Sequence, residues 1–203
     1  MNMAIPKPVI AHLNKNKIKF EVVPHRTIYT AYDLAQTLGE KLENIAKTLL
    51  VKVELPKVTK QGTRYYVVAV PASYRVDLGG VKKYLKAVKA ELANEKEMAK
   101  LGMISGAGTP FVSMYKDVGL IVDKSLEKAA KGLVRAESLT ESLRMKIKDL
   151  IKLEGALVAK VGAKAKMPKA PKAKKPVKKP KKKFATAAAY KKAMKAKAAK
   201  KRK

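Results

Sequence analysis

Residues 48–54 read TLLVKVE and residues 64–70 read RYYVVAV. The second run decides the fold. Its Val-Val-Ala-Val stretch is apolar at consecutive positions, so both faces of the strand need cover, and such a strand belongs in the middle of a sheet. Gln61-Gly62 marks a turn before it, so the second run is the return of the first. Pro71 ends it.

Working toward the N-terminus, residues 42–47 read as a short helical turn leading into the first strand. Before that, Thr30 and Asp33 have the spacing of a capping box, with Asp replacing the usual Glu. Ala31, Leu34, Ala35 and Leu38 form the apolar face of the helix this opens, and Gly39 stops it. Residues 17–23 (KIKFEVV) alternate at Ile18, Phe20 and Val22, a strand pattern ended by Pro24 and His25. Residues 8–14 suit a short helix with Val9, Ile10 and Leu13 on one side.

Toward the C-terminus, residues 77–87 predict a helix and 89–92 a short strand. Asn94 and Glu97 have capping-box spacing, opening a helix that reaches Leu101 and stops at Gly102. Strands are expected at 119–123, 133–137 and 143–148, and helix at 149–153. The total is six or seven strands with three to five helices. No helix recurs at regular βαβ intervals, so the fold class is α+β, a mixed sheet with helices around it. No internal repeat is visible.

Charge divides the chain. Of 47 basic and 16 acidic residues, 163–203 holds 19 basic and none of the acidic, leaving 1–162 at about +12 of the total +31. Residues 1–162 therefore read as one mildly basic folded domain and 163–203 as a Lys/Ala/Pro-rich tail. Pro168, Pro171, Pro176 and Pro180 interrupt any helix in the tail. Its composition cannot bury enough surface to offset the ordering entropy, so disorder is expected over 163–183. Residues 184–203 lack Pro and Gly and suit a helix once their charge is neutralised.

Several classes drop out. No apolar run approaches transmembrane length, and residues 1–11 lack the apolar core of a secretory signal. The absence of cysteine removes disulfides and thiolate chemistry and fits a reducing, cytoplasmic setting. With only His12 and His25, no multi-histidine metal site is expected, and no cofactor is implied. The charge points to a polyanion: nucleic acid first, an anionic membrane surface second.

Candidate site residues are few. Ser105-Gly106-Ala107-Gly108-Thr109-Pro110-Phe111 makes a tight turn whose amides a ligand can approach closely, suited to a phosphate, a carboxylate or a developing oxyanion. An ordinary loop fits the same composition. No Gly-Lys-Ser/Thr follows, which excludes a P-loop, and the glycine spacing excludes a dinucleotide fingerprint. Lys47, where the helical turn meets the strand, suits anion binding in a cleft or a solvated surface charge. His25 shows neither partner nor pocket, so a hydrogen-bonded turn histidine competes with a site role. Tyr29 and Thr30 have the same standing, Thr30 being explained as a cap. No Ser/His/Asp set or serine elbow can be nominated. In the tail, Lys174, Lys175, Lys178, Lys179, Lys181, Lys182 and Lys183 offer phosphate contacts without base readout.

In order, His25 with Thr30-Ala31-x-Asp33-Leu34-Ala35, Ile45-Ala46-Lys47-Thr48-Leu49-Leu50-Val51, Val67-Val68-Ala69-Val70-Pro71, Asp77-Leu78 and Gly106-x-x-x-Pro110 resemble the YbaK family, which is similar to the editing insertion domain of bacterial prolyl-tRNA synthetases. The resemblance covers residues 10–155. It implies a compact α+β domain around a mixed, partly barrel-like sheet. It also implies hydrolysis of the ester joining a wrong amino acid to the 3′ end of tRNA, without metal or covalent intermediate. Lys47 then maps onto a functional lysine, and Gly106, Ala107 and Gly108 onto the loop that faces the ester. His25, Tyr29, Thr30, Thr109 and Pro110 are expected to bind substrate. Ile28, Tyr29, Leu49, Val70 and Ile104 are expected as pocket walls, selecting the amino acid by size. The partner is mischarged tRNA, with other RNA or DNA open to the tail and no membrane. The competing class is a non-catalytic DNA- or RNA-packaging or ribosome-associated protein that works through the tail.

Overall fold

The computed structural model describes residues 4–56, 62–103 and 108–165. In chain order it contains α1 (Lys7–Lys15), β1 (Phe20–Pro24), α2 (Ala31–Leu38), β2 (Ala46–Glu54), β3 (Thr63–Pro71), β4 (Tyr74–Val76), α3 (Leu78–Tyr84) and β5 (Lys89–Leu92). Then follow α4 (Glu95–Lys100), β6 (Val118–Asp123), α5 (Lys124–Glu127), β7 (Gly132–Arg135), β8 (Glu141–Met145), α6 (Ile147–Leu153), β9 (Leu157–Ala159) and β10 (Gly162–Lys164). Among the described residues, no helix is long and apolar enough to cross a membrane.

The main sheet has the order β5-β2-β3-β6-β9 and is mixed: β3 is antiparallel to β2 and parallel to β6. A second sheet, β1-β8-β7, is antiparallel, and β4 pairs with β10. The parallel bridge Ile45–Leu133 links β7 to the start of β2. Among the described residues the sheets form no closed barrel.

β3 is central, as its apolar run requires. Val67 and Ala69 enter one core with Leu13, Phe111 and Leu143, while Val68 and Val70 enter a second core with Val51, Val81 and Ile121. The two-residue period of a strand produces this division. A third cluster, Ile28, Leu34, Ala35, Ile45 and Leu133, seats α2 against the bridge.

Local signals hold at the helix ends. The Thr30 hydroxyl oxygen accepts the Asp33 N–H at 3.0 Å, and Gly39 closes α2 at φ +64°. Asn94 and Glu97 make both bonds of a capping box on α4. Elsewhere the structure differs from expectation. There are ten strands among the described residues, because β4, β9 and β10 have three residues each, too few to show alternation. The strand expected at 143–148 is β8 at Glu141–Met145, and α6 already starts at Ile147. β10 reaches Lys164, and the carboxylate of Asp123 accepts the N–H groups of Val161 and Gly162, which sets that strand against β4.

Candidate active site

β2 is paired unequally along its length. β3 covers all of Ala46–Glu54, but β5 covers only Val51–Glu54 on the other side. Between the Ile45–Leu133 bridge and the Leu50 carbonyl, the strand around Thr48 therefore presents an open edge. The Leu50 carbonyl accepts the Ala93 N–H at 2.9 Å, so the strand period turns the N–H and C=O of Thr48 to the same open side.

A cavity of about 370 Å³ lies along that edge. The edge itself, Ile45–Leu50, forms one wall. The start of α2 with Tyr29 and Thr30 forms the rim, and Leu92, Met98 and Met103 add apolar cover. Gly108 and Thr109 close over β2, and Tyr115, Arg135 and Glu137 complete the lining. Gly108 is required by close approach: a Cβ there would stand 2.9 Å from the Thr48 hydroxyl oxygen.

Lys47 lines this cavity at half burial. Its ammonium donates to the Tyr74 carbonyl, leaving two N–H donors. Burial holds its pKa below the ordinary lysine value, and the nearby positive charge of Arg75 lowers it further. It is thus a fixed cation without a carboxylate partner among the described residues.

The rim is held by a residue the sequence reading missed. Arg135 is almost fully buried and donates to the Tyr29 carbonyl at 3.1 Å and the Ile28 carbonyl at 3.0 Å. Burial lowers its pKa, opposed by the charge of Asp33. Two residues on, Glu137 sits in the turn after β7 at φ +55°, a left-handed conformation that is uncommon outside glycine. Its carboxylate accepts the Tyr115 hydroxyl. Burial, then this bond to the carboxylate, raises the Tyr115 pKa, keeping the phenol protonated. The only sequence sign of either residue was two charges flanking Ala136 at the end of an otherwise apolar strand.

Of the expected site residues, Lys47, Tyr29, Thr30, Gly108 and Thr109 meet at the cavity. His25 and Pro110 do not line it. His25 bonds through Nδ1 to the Arg26 carbonyl at 2.8 Å and through Nε2 to the Ser142 hydroxyl at 2.9 Å. The carbonyl requires Nδ1–H, so Nε2 accepts from Ser142. Burial, the main cause, lowers the His25 pKa and favours this neutral form. Among expected walls, Leu49 lines the cavity but Ile28 and Val70 do not. Val70 points into the second core, and Ile28 packs under α2. Ile104, Gly106, Ala107 and tail lysines 174, 175, 178, 179 and 181–183 lie outside the described residues.

The sequence profile of the aminoacyl-tRNA editing domain matches residues 25–153, which begins just after β1 and takes in the open edge of β2 and the Arg135–Glu137 turn. The chain belongs to that family. Prolyl-tRNA editing protein ProX of Acetoanaerobium sticklandii is 24% identical over 157 residues, 75% of this chain and 92% of its own. Multifunctional Ser/Thr-tRNA deacylase ProXp-y of Escherichia coli is 27% identical over 148 residues, 71% of this chain and 85% of its own. In fold, this editing domain is similar to hypothetical protein APE2540, at TM-score 0.68 and 23% identity over 77% of this chain and all of that one. It is also similar to a candidate trans-editing enzyme for prolyl tRNA synthetase, at TM-score 0.62 and 22% identity over 76% and 94% of the two chains.

Proposed function

We propose that this editing domain acts in trans as a hydrolase, releasing a wrong amino acid from tRNA by attack of water on the aminoacyl ester. The observation that carries the reading is the cavity on the open β2 edge, where Lys47, the strand edge at Thr48 and a glycine-dependent loop meet. The ProX and ProXp-y relatives, matched over most of their own lengths, support the class of reaction.

The chemistry asks little of the protein. An aminoacyl ester is already activated, and the vicinal hydroxyl of the terminal ribose can help place the water. Attack converts the trigonal carbonyl to a tetrahedral centre, and the pair of electrons moves to oxygen. The ribose oxygen then leaves with a proton, giving free amino acid and tRNA. N–H groups of the Thr48 edge and of the 106–108 loop would stabilise the oxyanion. The Lys47 ammonium would anchor the anionic end of the RNA or the developing charge. Tyr29, Thr30 and Thr109 would shape the pocket, and Pro110 would fix the course of the loop behind Thr109. His25 would support the rim through Ser142 and the Arg26 carbonyl.

The lysine tail would supply affinity for tRNA backbone phosphates, and tRNA as partner implies the cytoplasm. With about six phosphate contacts, log K should fall against log salt with a slope near −0.7 per contact. Removing 166–203 should weaken tRNA binding and flatten that slope while leaving turnover at saturating substrate. Unchanged affinity and slope would remove the tail from the mechanism. Packaging or ribosome association through the tail is the second reading, favoured only by the charge of that segment.

A further inference from the structure

Glu137 is the sole carboxylate among the described residues that line the cavity. Its one polar partner among those residues is the Tyr115 hydroxyl, and no cation pairs with it there. The hydrogen bond from a neutral phenol aims the carboxylate without cancelling its charge. The residue also holds a left-handed backbone conformation that a glycine would adopt at less cost. A carboxylate kept at such a position, facing the cavity and ion-paired with no cation among the described residues, suits a cationic group on the ligand. An aminoacyl ester brings one: its α-ammonium group, next to the reacting carbonyl.

We propose that Glu137, positioned by Tyr115, accepts the α-ammonium group of the substrate and so makes the site selective for esters with a free amino group over N-acylated ones. The inference rests on the cavity being the deacylation site. It concerns recognition, since the carboxylate contacts the amino group and takes no part in bond breaking.

The test uses the full chain and two readouts. The first is kcat/KM for an alanine ester of tRNA and for its N-acetyl derivative, in wild type and Glu137→Gln. Differences in intrinsic ester reactivity cancel when the two proteins are compared. A lost charge-assisted hydrogen bond corresponds to about 10- to 100-fold, so the free-amine preference should fall by that factor in Glu137→Gln. The second readout is the Kd of 3′-alanylamino-3′-deoxyadenosine, a stable amide, against its N-acetyl form. Its preference should fall with the same substitution. Glu137→Gly, which relaxes the left-handed backbone, should lose the same preference without melting lower, a guard against misfolding of the Gln variant. Tyr115→Phe should lose part of it. Turnover with an unchanged preference in Glu137→Gln would overturn the assignment while leaving the deacylase reading in place. Amide binding whose preference falls with Glu137→Gln, but with no ester turned over, would keep the assignment and overturn the deacylase reading. Equal binding of both amides by wild type would overturn the assignment.

Discussion

Lys47 and Lys52 stand on one strand and meet opposite surroundings. Lys52 lies where β5 pairs with β2, and it bridges Glu97 at 3.0 Å and Glu91 at 3.8 Å. Its pKa is raised, first by the hydrogen bond to Glu97. Lys47 lies where β5 has ended, bonds a carbonyl, and has a lowered pKa from burial and then Arg75. One half of β2 is closed and its charge matched. The other half is open and its charge unmatched. A cation kept part-buried without a counterion costs stability, so its retention points to a ligand that supplies the negative charge.

The two lysines also differ in how pH acts through them. A raised folded pKa at Lys52 adds stability that is present below the unfolded value and lost as pH rises through the folded one. At Lys47 the folded pKa lies below the unfolded value, so the unfolded chain binds more protons between the two. Stability through Lys47 therefore improves as pH rises across that window.

The largest expected effect comes from breaking the contrast. Lys47→Ala should lower kcat/KM for a mischarged tRNA by about 100-fold or more, in line with loss of a charged contact made in the transition state. Lys52→Ala in the same assay should stay within about twofold, as for an exposed pair. Equal losses would erase the distinction between the two halves of β2. A smaller effect is expected at Gly108. Glycine-to-alanine there drives a methyl group into the Thr48 hydroxyl, and the loop must lift off the edge. Turnover should fall about 10- to 100-fold, since small displacements in a site of this kind are costly, with little change in melting temperature. The smallest effect is a shift rather than a loss. Arg75→Ala removes a positive neighbour of Lys47, so the Lys47 pKa should rise. Activity that needs the ammonium form declines as pH rises through that pKa, and the alkaline limb of the pH profile should move upward. A limb that stays put, or moves down, would take Lys47 out of the charged role.

The parts of this arrangement that were legible in the sequence are those set by neighbours along the chain. Thr30 with Asp33, Asn94 with Glu97, and Gly39 announce helix ends because capping is local. β3 announces its central place because its apolar run leaves no face for water. Lys47 and the glycine loop were nominated, and Lys47, Gly108 and Thr109 meet at one cavity. Other features depend on contacts that sequence spacing does not carry. The open edge exists because β5 stops pairing at Val51. Arg135 reaches the Tyr29 rim because the Ile45–Leu133 bridge brings β7 to the start of β2. Val70 looked like a pocket wall only because a single apolar run cannot say which of its two faces is which.

The most direct measurement is deacylation of a panel of tRNAs mischarged with alanine, serine, threonine and cysteine, by wild type and Lys47→Ala side by side. Wild type should hydrolyse at least one ester selectively, and the variant should lose nearly all of that activity with the fold intact by thermal melting. Hydrolysis that survives Lys47→Ala unchanged, or none above background with wild type, would contradict a deacylation site built around Lys47.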